Sequence, residues 1–174
     1  MKKLICLLFV LVALTSCQDQ RKAKNYNDKT LADDEAINFI KKGIEGGLVE
    51  VKLASLAKSR SSNPRVINFA NMMIADHTQI GKELKQIEAD KLISGRDSIS
   101  IEHQTMINEL AAKSGVAFDK TYIGMMVSDH KEDIELFKSV SNNTSATMQK
   151  MAEKTLPTLQ MHLDSAKAIQ SSLK

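Results

Sequence analysis

Tryptophan is absent from this chain of 174 residues, which also has only two prolines, two cysteines, five phenylalanines and two tyrosines. Each shortage excludes something. Cys6 lies in an apolar leader and Cys17 at its end, so the mature chain has no cysteine pair with which to staple its fold. The one long apolar run, Leu4 to Leu14, has 11 residues and is too short to persist as a membrane-spanning helix. Lysine and arginine number 24 against 21 acidic residues, but Lys2 and Lys3 belong to the leader, and the remainder is almost neutral. No basic cluster is interleaved with aromatic residues, which argues against a nucleic-acid partner. No glycine-rich phosphate loop, no HExxH and no serine, histidine and acid that can be placed together are found, so no catalytic residue is assigned. No strand-like alternation appears either.

What is present begins with targeting. Met1-Lys2-Lys3 is a basic head, Leu4 to Leu14 an apolar core, and Leu14-Thr15-Ser16-Cys17 a bacterial lipobox. The reading is a lipoprotein signal peptide over residues 1–16, with Cys17 diacylated as the mature N-terminus. Residues 17–30 are polar and aperiodic and serve as a flexible tether. A helical domain occupies residues 31–174, long enough to build one core without staples.

A stretch that occurs twice organises this domain. Phe69 to Leu84 reads FANMMIADHTQIGKEL and Tyr122 to Phe137 reads YIGMMVSDHKEDIELF, matched at an offset of 53 residues. Apolar residues recur at three and four in both, so each is an amphipathic helix with its histidine on the buried stripe. Around them the periodicity predicts a helix from Asp33 to Ser59, one from Pro64 to Asp90, a short one from Ser98 to Lys113, one from Asp119 to Val140, and a last one over the remainder. Thr30 or Asp33 caps the first, and Gly115 suits a left-handed cap closing the short one. Gly43, Gly46 and Gly47 weaken the first helix unless a neighbour approaches closely. Ala57-Lys58-Ser59 and Ala112-Lys113-Ser114 precede the two repeats, which pairs the first two helices with the short helix and its successor. The architecture expected is all-α, an antiparallel helical bundle of four long helices and one short additional helix.

Glu50, His77, His130 and His162 are polar residues on or beside apolar stripes, one on each long helix. They are donors suited to iron, manganese or zinc, and bundles build such sites from facing helices. Counting helix rise from the connecting turns places Glu50 and His77 roughly 4.5 Å apart along the axis, but leaves His130 and His162 mismatched by roughly 7–12 Å. Asp76 and Asp129 turn about 100° away from the adjacent histidines, which points them to capping or lysine partners. His103 reads as solvent-facing. The paired methionines Met72/Met73 and Met125/Met126 read as core filling rather than as soft-metal ligands. Two readings of the inward histidines stand: a hydrogen-bonded network that fixes helix register, which the sequence favours, and a metal site.

The lipobox together with AINFIKKGIEGGLVEVKLASLAKS, NPRVINFANMMIADH, FDKTYIGMMVSDHKEDIELF and KTLPTLQMHLDSA resembles the bacterial family called domain of unknown function 4142, often labelled outer membrane proteins. The resemblance runs from Leu31 to Leu173. It implies a ferritin-like bundle outside the cytoplasm, with the family's polar motifs falling on Glu50, Asp76/His77, Asp129/His130 and His162. A ferritin dimetal site needs Glu-x-x-His on two helices. Here Ile74, Val127 and Leu159 stand where those glutamates would be, which argues against ferroxidase or iron storage.

The expectation is therefore a cell-envelope bundle that is more a binding or interaction module than an enzyme. Its lipid anchor is Cys17, and the outer membrane is favoured over the inner. Its partners are the membrane and an envelope protein. The alternative is a ferritin-like metal-binding protein using Glu50, His77, His130 and His162, with redox or hydrolytic chemistry.

Overall fold

Residues 34–140 and 145–173 are described by the computed structural model. The leader, Cys17, the tether and the capping residues Thr30 and Asp33 lie outside the described residues. Helix α1 spans Asp34–Arg60, with Asp34 and Glu35 in its first turn and Lys58 and Arg60 in its last, the arrangement a helix dipole favours. Helix α2 spans Pro64–Asp90. Its proline takes a position where no amide hydrogen is needed, and the Asn63 side chain accepts from the Arg65 amide at 3.0 Å. Helix α3 covers Ile101–Ala111, shorter at both ends than the periodicity predicted, because Ser100 caps it by accepting from the His103 amide. Helix α4 covers Gly115–Ser139 and starts four residues before the expected Asp119. Gly115, at φ +57°, makes the left-handed turn expected of it and at once begins the next helix, which brings Phe118 into the core. Helix α5 spans Ala146–Ser172 and continues through Pro157.

The contacts fix the topology. Along α1, Gly43 meets Leu84 and Glu50 meets His77, so α1 and α2 are antiparallel. Gly43 also meets Phe137 and Glu50 meets His130, so α1 and α4 are antiparallel too. Asp76 reaches His162 and Glu83 reaches Lys154, which makes α2 and α5 antiparallel. The long helices thus stand in a ring in the order α1, α2, α5, α4, with α2 and α4 parallel on one diagonal. Two parallel helices in succession require a crossover, and residues 91–114 supply it. Within it α3 climbs the outside of the bundle alongside α1, held by the Arg60 side chain on the Ala111 carbonyl and by Glu45 on Ser100 and His103.

This topology explains the sequence repeat and corrects its expected pairing. The two copies lie on the parallel diagonal helices at equal depth, with Phe69 edge-on to Tyr122 at 6.2 Å and His77 facing His130 at 5.4 Å between ring centres. The spatial counterpart of α1 is α5, since each packs on both repeat helices, while α3 is the external addition. The expected mismatch between His130 and His162 is also overturned, as they are in contact. Helix α4 ends short of the bundle's end and α5 begins beyond it, so residue counting from their connection misjudged the register.

Buried side chains fill the centre from all five helices, with Phe39 edge-on to Phe137 at 5.0 Å. Met73 and Met126 are fully buried, as core filling requires. At Gly43 a neighbouring side chain packs closely on α1: an added Cβ would meet Leu84 at 3.0 Å. Among the described residues no strand occurs and no helix is long and apolar enough to cross a membrane.

Candidate functional site

Halfway along the bundle, four polar side chains interrupt the apolar core. Glu50 from α1, His77 from α2, His130 from α4 and His162 from α5 are all within 3% of complete burial. The structure brings together all four residues singled out in the sequence. The imidazole centres form an almost equilateral triangle with sides of 5.2, 5.3 and 5.4 Å, and one nitrogen of each ring lies within 4.8 Å of the others'.

The protons on two rings are fixed by their partners. His130 Nδ1 lies 2.9 Å from the Met126 carbonyl, which can only accept, so that nitrogen donates. His162 Nε2 lies 2.8 Å from Asp76 Oδ2 and donates to the carboxylate. In neutral rings this leaves a lone pair on His130 Nε2 and another on His162 Nδ1. Those two atoms face each other at 3.2 Å. His77 Nε2 is buried without any hydrogen-bond partner and contributes a third uncommitted nitrogen.

Protonation is a poor way to reconcile the facing lone pairs. Burial, and then the neighbouring histidines, lower His130 to about 3. Burial also lowers His77 and His162, against the pull of Asp76 on the latter. The trio is therefore uncharged at neutral pH, with no hydrogen between His130 Nε2 and His162 Nδ1.

Glu50 lies along the other edge of the rings. Its Oε2 is 2.7 Å from His77 Nδ1 and its Oε1 3.2 Å from His130 Nδ1, yet neither oxygen receives a well-directed hydrogen bond. Burial, and then the charge of Asp129, raise its pKa well above the ordinary carboxyl range. Asp133 is raised likewise by burial and by Glu50, and Asp129 to about 6 by burial and by Glu132.

Sequence reasoning missed several participants. Asp76 neither caps a turn nor meets a lysine; it holds His162, because α5 packs beside α2 at that level. Asp129 and Asp133 occupy successive turns of α4 and both line a recess on the Glu50 side. Their i, i+4 spacing flanking His130 was a readable signal. His103 is 40% exposed in its side chain but is held at 2.7 Å from Glu45, at the rim of the same recess.

The chain is similar to a crystal structure described as a DUF305 fragment from Deinococcus radiodurans, with a TM-score of 0.75 at 12% identity, covering 82% of this chain and 99% of that one. At that identity the likeness concerns the fold alone. No curated protein matches the sequence. The model of the domain of unknown function DUF4142 matches residues 20–169, and the chain belongs to that family.

Proposed function

We propose that this protein is a lipid-anchored metal-binding bundle of the cell envelope, in which His77, His130 and His162 hold one divalent ion of the zinc class. The observation that carries this reading is the 3.2 Å approach of His130 Nε2 to His162 Nδ1 with both ring protons committed elsewhere. Facing lone pairs repel, and a cation between them turns repulsion into ligation. An ion about 2.1 Å from three imidazole nitrogens in a tetrahedral array would hold the ring centres about 5.2 Å apart, close to the triangle observed. The outer contacts fit as well. Metal-bound histidines commonly donate their second nitrogen to a carboxylate or a backbone carbonyl, the roles here of Asp76 and the Met126 carbonyl.

Glu50, a sequence candidate for the same shell, lies against Nδ1 of His77 and of His130, away from the free nitrogens, and is not a ligand of this ion. Imidazole donors without carboxylates suit zinc better than manganese. The register-fixing network that the sequence favoured takes second place, since it needs a donor between His130 and His162, whose ring protons are both committed elsewhere. The anchor at Cys17 rests on the basic head, apolar core and lipobox, and the outer-membrane location on the label often given to the family the sequence resembles.

Elemental analysis of protein purified without chelators or metal-affinity steps tests the reading. The expected result is near-stoichiometric zinc-class metal in the native protein and none in a His77→Ala/His130→Ala variant that keeps its helicity. Metal-free native protein that neither binds nor is stabilised by added zinc would return the histidines to a structural role.

A further inference from the structure

On the opposite side of Glu50 from the histidine nitrogens, helices α1, α3 and α4 enclose a recess of about 550 Å³. Its lining is strongly acidic: Glu50, Asp129, Asp133, Glu102, Glu132 and Glu45 contribute carboxyls, against Lys42 and His103. An acidic lining alone would be a solvated surface. Two further features distinguish this one. Glu50 is only 1% exposed and faces the recess with neither oxygen receiving a well-directed hydrogen bond, and Asp129 Oδ2 is likewise buried without a partner. Gly46 leaves space beside them, where a Cβ would come within 3.5 Å of Asp133 Oδ1.

The two basic residues offset this floor only in part, since Asp129 and Asp133 stay raised by burial and by their acidic neighbours. His103 is held by Glu45 at the rim, and among the described residues no lysine or arginine forms an ion pair with Glu50, Asp129 or Asp133, Glu50 meeting only the uncharged His77 and His130. Their donors are all oxygen, and the volume leaves room for water to complete a coordination shell. Oxygen-only donors select hard divalent cations, as nitrogen-only donors select the zinc class.

We propose that the recess is a second, separate cation site, in which Glu50, Asp129 and Asp133 bind a hard divalent ion of the manganese class that keeps part of its water. The site does not require the histidine trio to be filled. Glu50 lies between the two centres, touching the histidines on one edge and the recess on the other, so the bundle would carry two ions of different chemistry side by side.

Manganese binding to the full-length protein in detergent provides the test, followed by loss of the free Mn²⁺ electron paramagnetic resonance signal before and after zinc saturation. One Mn²⁺ per chain is expected in both states, with zinc retained. Asp133→Asn and Asp129→Asn should each weaken Mn²⁺ binding at least about tenfold, since affinity at oxygen sites follows ligand charge. Zinc content and helicity should be unchanged in both. Asp164→Asn, on the exposed face of α5, should bind as the native protein does. Absence of Mn²⁺ binding, binding unaffected by Asp133→Asn, or displacement of zinc by Mn²⁺ would each overturn the second site. Failure of zinc to bind would count against the histidine reading instead, because Mn²⁺ binding to the zinc-free protein is measured on its own.

Discussion

Asp76 and His162 are 86 residues apart in sequence and 2.8 Å apart in the fold, and their hydrogen bond fixes which nitrogen of His162 remains free. By holding the proton on Nε2, the carboxylate turns the Nδ1 lone pair toward His130. Asp76→Asn should therefore lower zinc affinity roughly 10- to 100-fold, the usual consequence of losing an orienting partner. An amide can present its NH₂ to Nε2 and invite the other tautomer, which removes the lone pair from the site. Zinc titration against a competing chelator would measure the loss. An affinity equal to that of the native protein would show that His162 needs no such orientation.

How much of this was legible depends on what each residue's signal encodes. The number of the long helices follows from periodicity, and the start of α2 from Pro64, because those features act within one turn of chain; the start of α4 at Gly115 rather than Asp119 did not. The inward placement of Glu50, His77, His130 and His162 was legible for the same reason. Their convergence was not, since it depends on the offset between α4 and α5, which residue counting across their connection got wrong. Asp76 illustrates the limit most clearly. Its angle from His77 on a single helix was read correctly as divergent, yet divergence from one histidine aimed it at another, on a helix whose position no local pattern gives.

Metal binding should raise thermal stability. An ion that binds only the folded protein adds about 2.7 kcal/mol at a free concentration a hundredfold above its dissociation constant. Thermal melts with increasing zinc should show a progressive rise in midpoint, reversed by chelator. The same rise should be absent from His162→Ala. A rise that survives this substitution would place the stabilising ion elsewhere.

Acid should destabilise the metal-free fold through the histidines. His130 has a folded pKa of about 3 against an ordinary value of 6.5, so below 6.5 the unfolded chain binds protons that the folded chain does not. That contribution to stability is complete above 6.5 and is lost as the pH falls toward 3. Denaturant midpoints of apoprotein should therefore fall across this window, and His130→Gln, which cannot take up the proton, should show a shallower fall. Parallel slopes in the two proteins would sink the assignment.

Asp129 should act in the opposite direction. Burial, and then Glu132, raise it from 3.8 to about 6, so its contribution is present below 3.8 and is lost as the pH rises through 6. At neutral pH the folded protein carries a strained carboxylate. Asp129→Asn should stabilise the apoprotein there by roughly 1–3 kcal/mol, while at pH near 4 the gain should largely vanish. Denaturation at both pH values provides the comparison. The substitution that weakens manganese binding in the recess is thus expected to strengthen the empty fold, as a residue kept for a ligand rather than for stability would.

Gly43 and Gly46 lie on the same helix but should respond differently to added side chains. At Gly46 a Cβ meets only Asp133 Oδ1, at an ordinary 3.5 Å, so Gly46→Ala should gain roughly 0.5–1 kcal/mol from helix propensity. At Gly43 the Cβ would lie 3.0 Å from Leu84, with Phe137 at 4.0 Å, and both neighbours are themselves packed into the core. Alanine there forces a small shift of a leucine methyl that the propensity gain can offset. Valine adds two further methyls where α1 meets both α2 and α4, and overpacking of that kind costs about 1–3 kcal/mol. Because Glu50 lies two turns further along α1, a displacement of the helix at Gly43 would also move Glu50 against His77. Gly43→Val is therefore expected to lose both denaturant stability and zinc affinity, whereas Gly46→Ala should lose neither. A Gly43→Val variant as stable as the native protein would mean that the helices can separate there without disturbing the centre of the bundle.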